Sequence, residues 1–386
     1  MNENENFLFE TEGRVFGPRN PLVIAELGTS HNGGIEKAKE MTRAALEAGA
    51  DCVKFQMVFA DEILHPNTGD VSLPGGRIRL YDRFKALEAP AEFYAEIKEY
   101  VESLGLLFLC TPFGLKSASI LRGIGPKIIK IASPELNYTG LLEEIASWKP
   151  ENSSSGNSLP GNSMPVLLSS GVSRLGDIEE AVSILKPAGN LCLLHCVTSY
   201  PAPETDYNLR VLPNLAAIFG VPVGVSDHSA DPRLVPALSV CMGAAVIEKH
   251  FCLSRTDSGL DDPIALVPED FAKMAKAVRL AAETGPEETL ALYSREHGKP
   301  LVEQILGSGV KELAPSEKAN YRLTNRSIHA VRDIQEGEVL KKGDYAVLRT
   351  EKNLRPGLEP CWEKNIEGRV AHNFIPAGEG IRFEDV

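Results

Sequence analysis

The sequence predicts an α/β protein: a (β/α)8 TIM barrel followed by a small β-rich domain. Three observations carry this. Eight short apolar, β-branched runs alternate with eight amphipathic helical stretches over roughly 250 residues, the number and length of such a barrel. The runs are continuously apolar, as a parallel sheet covered on both faces requires. Beyond about Asn320 the pattern changes to short strand-like pieces separated by Gly, Pro and charged turns. An open doubly wound sheet would show the same alternation, but it calls for a Gly-rich phosphate turn, and the sequence has no G-x-G-x-x-G.

In chain order the expected strands are 22–28, 52–57, 107–113, 128–133, 165–171, 191–197, 223–229 and 245–251. The expected helices are 35–48, 91–104, 115–123, 139–148, 175–185, 209–219, 233–243 and 268–283. This divides the chain into a barrel over 1–285, a linker over 286–320 and a small domain over 321–386, with strand-like pieces at 326–332, 337–340, 345–349 and 368–371. In a barrel the loops after the strands carry function. The long segment 58–89 follows the second strand and is expected to form a lid or substrate wall. The Ser/Gly/Asn-rich stretch 152–164 precedes the fifth strand, on the opposite end, and reads as a flexible insertion.

A formal net charge of −13 opposes general binding to nucleic acid or an anionic membrane, so an anionic substrate must meet a local basic pocket. Seven cysteines, most of them inside apolar runs (Cys52, Cys110, Cys192, Cys196, Cys241) and with no C-x-x-C pair, read as buried thiols in a reducing compartment. The acidic start Met1-Asn-Glu-Asn-Glu-Asn-Phe lacks a basic region followed by an apolar stretch, and no run of about 18 apolar residues occurs. The expectation is a soluble cytoplasmic protein.

Reading the strand ends in order gives Glu26, Lys54 and Gln56, Thr111, Lys130 and Ser133, Ser169, Thr198 and Tyr200, Ser226 and His228, and Glu248 and His250. Side chains alternate along a strand, so Ser226 and His228 share a face, as do Glu248 and His250 on the next strand. Two neutral imidazoles with carboxylates beside them suit Zn, Mn, Fe or Co and leave positions open for water and substrate. Each histidine taken alone could equally be a hydrogen-bonded barrel residue. Lysines are almost never buried unpaired, so Lys54 and Lys130 in barrel strands point to an anion held between them. The hydroxyls of Thr111, Ser133, Ser169 and Ser226 add uncharged donors. A plainer alternative has Lys54 paired with Glu26 and Lys130 with another acid. His31 either touches substrate or serves its turn, Lys249 points to the outer layer, and Trp148 and Trp362 read as packing groups.

The motifs Ile24-Ala-Glu-Leu-Gly-Thr-Ser-His-Asn-Gly33, Val53-Lys-Phe-Gln56, Thr111-Pro-Phe113, Lys130-Ile-Ala-Ser133, Ser169-Ser-Gly171, Leu194-His-Cys-Val-Thr-Ser-Tyr-Pro-Ala-Pro203, Ser226-Asp-His228 and Ile247-Glu-Lys-His-Phe251 occur in this order. By them the chain resembles the sialic acid synthase family, which includes N-acetylneuraminate, legionaminate and pseudaminate synthases and spore-coat polysaccharide proteins. Arg326-Ser-Ile and Arg355-Pro-Gly357 resemble the antifreeze-like SAF (β-clip) module that ends these enzymes. The resemblance departs at Gly114, where the family carries Asp, at Thr198, where it often carries Asn, and in the loop after Arg355, which lacks a glycine usual there.

The resemblance implies condensation of phosphoenolpyruvate with an N-acetylated amino-sugar aldehyde such as N-acetylmannosamine, releasing phosphate. It implies Glu26, Glu248, Lys54 and Lys130 in the catalytic centre. Thr111, Ser133, Ser169, Thr198 and Ser226 would bind the donor, Tyr200 and Asp261 the sugar, and Gln56 would be a further substrate-binding residue. A divalent metal, Mn²⁺ with Mg²⁺ or Co²⁺ as alternatives, would sit on His228 and His250. The small domain would cap the barrel of a partner chain in a domain-exchanged homodimer, with Arg355, or alternatively Arg349, reaching the sugar. Two other readings are a related aldol-type keto-acid synthase or lyase, and a non-catalytic carbohydrate-binding or coat-assembly barrel. The paired lysines and hydroxyls favour a phosphorylated donor, and the full set of Glu26, Lys54, Lys130, His228 and His250 argues against a decayed site.

Overall fold

The computed structural model describes residues 7–73, 76–148 and 164–386. The expected insertion at 152–164 lies, except for Met164, outside the described residues. Eight parallel strands close into a barrel in sequence order: Leu22–Gly28, Cys52–Met57, Leu107–Pro112, Ile129–Ile131, Val166–Ser169, Leu191–Cys196, Val223–Asp227 and Val246–His250. Each apolar run forms a strand, some of them one or two residues shorter at an end than the run, because the chain bends there into its loop. Helices return the chain between strands, among them Ile35–Glu47, Ala91–Ser103, Leu115–Ile124 and Leu175–Leu185.

Strand parity sorts the side chains into two cores. Val23, Ala25, Val53, Phe55, Leu193 and Val225 face outward and bury against the helices. Leu22, Ile24, Cys52, Leu107, Leu109, Leu167, Cys192, Leu194 and Val246 fill the interior. Gly224 belongs to that layer, and a Cβ there would overlap the Val246 carbonyl. The hairpin Phe9–Thr11/Arg14–Phe16 pushes Phe9 and Phe16 into the same cluster and stops the N-terminal end. Continuing the inward parity toward the C-terminal ends, the apolar layer gives way to polar side chains, and register aligns them. Glu26 lies opposite Lys54 on one side and His250 on the other, Ser226 opposite Glu248, and Gln56 opposite Thr111.

Segment 58–89 is more structured than a simple wall. It contains the short helix Ala60–Ile63, the hairpin Asp70–Leu73/Gly76–Arg79 and the helix Leu80–Leu87, over a small core of Val58, Ile63, Leu64, Phe84 and Phe113. The 286–320 region holds two helices, Pro286–His297 and Lys299–Leu306, before an irregular stretch. In the small domain, Arg326–Ala330 pairs antiparallel with Tyr345–Arg349. The expected pieces at 337–340 and 368–371 do not form named strands but meet at an isolated bridge between Val339 and Val370 and through backbone hydrogen bonds such as Leu340 N to the Arg369 carbonyl. Among the described residues no helix is long and apolar enough to cross a membrane, and all seven cysteines are free thiols.

The small domain sits on the catalytic end of its own barrel. His65 Nε2 meets the Val331 carbonyl at 3.3 Å, Asn67 donates to the Ala377 carbonyl, and Asn353 donates to the carbonyls of Thr68 and Asp70. At the centre, the fully buried Glu135 takes both Arg326, at 3.0 Å, and Arg349. Arg326 also donates to the Glu62 and Phe113 carbonyls, so one guanidinium ties the loops after the second, third and fourth strands to the cap. Removing one partner of such a buried pair typically costs about 3–5 kcal/mol.

Candidate active site

The inward side chains at the barrel mouth form two adjoining clusters. In the first, the Lys54 ammonium lies 2.8 Å from Glu248 and 3.3 Å from Glu26, and Lys130 lies 3.5 Å from Glu248. Ser226 donates to the same Glu248 oxygen at 2.8 Å, and Gln56 to Glu26 at 2.6 Å. All but Gln56 are buried.

Burial governs their ionisation. It pushes the Glu26 carboxyl up to about 7, against the pull of Lys54, with Glu248 adding to the rise. It also raises the cost of charge on Glu248, but Lys130, Lys54 and Ser226 outweigh that and hold this carboxylate at about 2. Lys54 is opposed by burial yet held above the ordinary lysine range by Glu248 and Glu26. Burial brings Lys130 down to about 8. The lysines are thus paired with acids, as the plainer alternative has it. With Glu26 only partly ionised near neutrality, however, the cluster carries an excess of positive charge.

Four buried atoms at this spot, Thr111 Oγ1, Ser169 Oγ, Glu26 Oε2 and Glu248 Oε2, have no hydrogen-bond partner among the described residues. An unsatisfied buried polar group costs about 1–3 kcal/mol. An anionic ligand resting on the lysines would satisfy the two hydroxyls. Ser133 Oγ lies beside them, accepting from Gly171 N at 3.0 Å, and Thr198 Oγ1 lies 3.9 Å from Cys196 Sγ.

The second cluster holds His228, His250, Tyr200 and Asp261. The imidazole centroids are 5.5 Å apart, and the Tyr200 ring lies 4.3 Å from that of His228. His228 Nδ1 is 2.9 Å from the Val197 carbonyl, which fixes the proton there and leaves Nε2 as the free lone pair. Burial holds His250 well below its ordinary range, so it is neutral. Asp261 Oδ2 lies 3.8 Å from His250 Nδ1. Among the described residues no group of three or more His, Cys, Asp and Glu donors converges as a metal-ligand set. The donor chemistry fits a two-imidazole site completed by water and substrate oxygens.

Of the residues expected at the site, Arg355 is not brought in. Its guanidinium bonds to the Gly380 carbonyl and to Asp385 at 2.6 Å inside the small domain. The alternative, Arg349, lies at the barrel mouth, on Glu135 and 5.4 Å above the Phe113 ring. Lys249 points outward onto Asp227 and Ser229. His31 is buried, stacked on Phe93 with its Nδ1 accepting from Gly33 N.

Known proteins place this geometry. A profile of the NeuB family matches residues 41–288, and one of the SAF domain matches residues 325–386. The chain belongs to the NeuB family. It is 33% identical to the N,N'-diacetyllegionaminic acid synthase of Legionella pneumophila, across 95% of this chain and 94% of that one. An uncharacterised protein of Methanocaldococcus jannaschii is 36% identical across 97% of both chains. The crystal structure of the spore coat polysaccharide biosynthesis protein SpsE of Bacillus subtilis superposes with a TM-score of 0.78 at 31% identity, covering 98% of this chain and 99% of that one. As a NeuB-family member with synthase relatives, the chain is an enzyme, a transferase that forms C–C bonds.

Against this family background, Gly114 has a local explanation. A Cβ at 114 would overlap the Glu62 carboxylate, which accepts from Lys116 N and Ser117 N at the start of helix Leu115–Ile124. The acid at this helix end comes from the neighbouring loop. Two buried acidic side chains that tie segments together around the site escaped the sequence reading. Glu135, two residues after Ser133 at a strand end, could have been noticed by position alone. Glu317, in the irregular part of the linker, carries no sequence signal at all.

Proposed function

We propose that this NeuB-family protein is a phosphoenolpyruvate-dependent nonulosonic acid synthase that joins phosphoenolpyruvate to an N-acetylated amino-sugar aldehyde, such as N-acetylmannosamine, and releases phosphate. The observation that carries the reading is the lysine pair. Lys54 and Lys130, with positive charge in excess, stand beside the unpartnered hydroxyls of Thr111 and Ser169, as a phosphorylated and carboxylated donor requires. The names of the relatives fit the same product class.

Lys54 and Lys130 hold the donor's anionic groups, with Thr111, Ser133, Ser169, Thr198, Ser226 and Gln56 fixing its orientation. This is catalysis by positioning, since neither lysine is consumed. The donor's methylene carbon forms the new bond to the aldehyde carbon, whose oxygen gains a proton. Cationic character then develops at the phosphate-bearing carbon. Glu248, a permanent carboxylate, stabilises that centre, and water adds there as phosphate departs. Glu26, with its carboxyl near 7, is the group able to give or take a proton at neutral pH. Tyr200 and Asp261 face the sugar beside the imidazoles. A divalent ion held by His228 and His250, Mn²⁺ or in its place Mg²⁺ or Co²⁺, would polarise the aldehyde carbonyl.

Free, mostly buried thiols suit a cytoplasmic setting. In the homodimer we propose, the cap–barrel surfaces seen within one chain meet between two chains, because domain exchange reuses one interface. The test of function is phosphate release from phosphoenolpyruvate over a panel of mono- and diacetamido sugars with Mn²⁺ held fixed. Release that depends on one of these sugars supports the reading. No release with any of them, by protein with metal bound, refutes it.

A further inference from the structure

We infer that Glu317, in the segment joining barrel to cap, is a positioning residue for the donor site: its carboxylate holds in place the two loops that present Ser169, Thr198 and Tyr200. This rests on the functional reading above. Glu317 is 1% exposed. One of its oxygens accepts from both Val172 N, at 3.0 Å, and Thr198 N, at 2.9 Å. The other accepts from Ala314 N at 3.2 Å, folding the segment back on itself. Among the described residues it forms no salt bridge; backbone N–H groups bond its oxygens, and the Lys311 ammonium of the same segment attracts its charge from farther away.

Two neighbours in the same segment complete the arrangement. Asn325 donates to the Val172 carbonyl at 3.3 Å and Asn320 to the Thr198 carbonyl at 3.1 Å. The N–H and C=O of both loop residues are therefore bonded by side chains drawn from 317–325. Val172 needs such support. Its φ of +46° is left-handed, a region that β-branched residues rarely enter unless the surroundings impose it. The loops also abut directly. A Cβ on Gly171 would overlap Thr198 Oγ1 and come within 2.9 Å of Ser133 Oγ, so displacement of either loop moves hydroxyls of the donor pocket. Among the described residues, the Glu317 carboxylate is the acceptor that Val172 N and Thr198 N share.

The inference predicts a particular kinetic pattern. Donors that grip phosphoenolpyruvate alike in ground and transition states show up in KM. Glu317→Ala should raise the KM for phosphoenolpyruvate at least tenfold, with kcat within about threefold of wild type and metal content unchanged. Glu317→Gln keeps an oxygen for Val172 N and Thr198 N and should recover most of that loss. Asn320→Ala, which removes only the bond to the Thr198 carbonyl, should raise the same KM about threefold without lowering the melting temperature, and it carries the test if Glu317→Ala does not fold. A wild-type KM for phosphoenolpyruvate in folded Glu317→Ala overturns the inference, as does a wild-type KM in Asn320→Ala when the alanine variant is unfolded. Equal impairment of Glu317→Gln and Glu317→Ala also overturns it. Wild-type enzyme with no turnover of phosphoenolpyruvate refutes the functional reading instead, and this inference with it.

Discussion

Replacing Lys130 with Met removes an ammonium whose hold on the protein is loose. It is 2% exposed, 3.5 Å from Glu248 and 3.4 Å from the Ile131 carbonyl, whereas Lys54 stands 2.8 Å from Glu248 and also pairs with Glu26. Lys130 is therefore the lysine with bonding capacity to spare for a ligand oxygen, and in the variant Glu248 still keeps Lys54 and Ser226. Loss of one partner of a desolvated ion contact costs about 2–5 kcal/mol. A middle value of about 3 kcal/mol corresponds to a rise of roughly a hundredfold in the Kd for phosphoenolpyruvate. Titration calorimetry between pH 6.5 and 9.5, roughly the span over which this lysine changes charge, reads both the size and the pH dependence. Burial lowers Lys130 from 10.5 to about 8, so its ammonium is present below about 8 and lost above it. The donor binds the charged form, so wild-type affinity falls as pH rises through about 8, and Lys130→Met lacks that decline. A variant with unchanged affinity and the same pH profile would show that Lys130 only balances Glu248.

Two further outcomes are expected. His228→Ala or His250→Ala leaves one imidazole and water to hold the ion, so metal content should fall and phosphate release should drop at least a hundredfold, roughly what loss of a ligand or its support costs; full activity of either variant in chelated buffer would refute the metal assignment. If caps are exchanged between subunits, a chain ending after Asn325, which keeps Glu317, Asn320 and Asn325 on the barrel loops, mixed with full-length His228→Ala should regain part of the activity, each mixed dimer pairing an intact barrel with an intact cap. No regain, with mixed dimers verified by mass, places the cap on its own barrel.

The barrel was legible because each strand is a continuous apolar run, and because the parity that sends Leu22 and Ile24 inward also sends Glu26 there. The same count places Lys54, Thr111, Ser226, Glu248 and His250 on the inward face of the barrel, so most of the candidate site followed from alternation once the strands were assigned. The elements of segment 58–89 were not legible: the helix Ala60–Ile63 and the paired strands after it are only four residues each, too short for a periodicity to register. Nor could the sequence reveal the joints between distant segments. Glu135 meets Arg326 across 191 positions, and Glu317 meets Thr198 across 119. The resemblance favours Arg355, beside the Pro-Gly turn, over Arg349. Only the fold shows that Asp385 takes the first and Glu135 the second.

The central claim is the joining of three donor carbons to a sugar with loss of phosphate. Its most direct measurement is the product mass from ¹³C-labelled phosphoenolpyruvate and an N-acetylated amino sugar, taken together with phosphate released. The account predicts one product per phosphate, carrying all three labelled carbons bonded to the sugar skeleton. Phosphate released with the label recovered as free pyruvate, and the sugar unchanged, would contradict it.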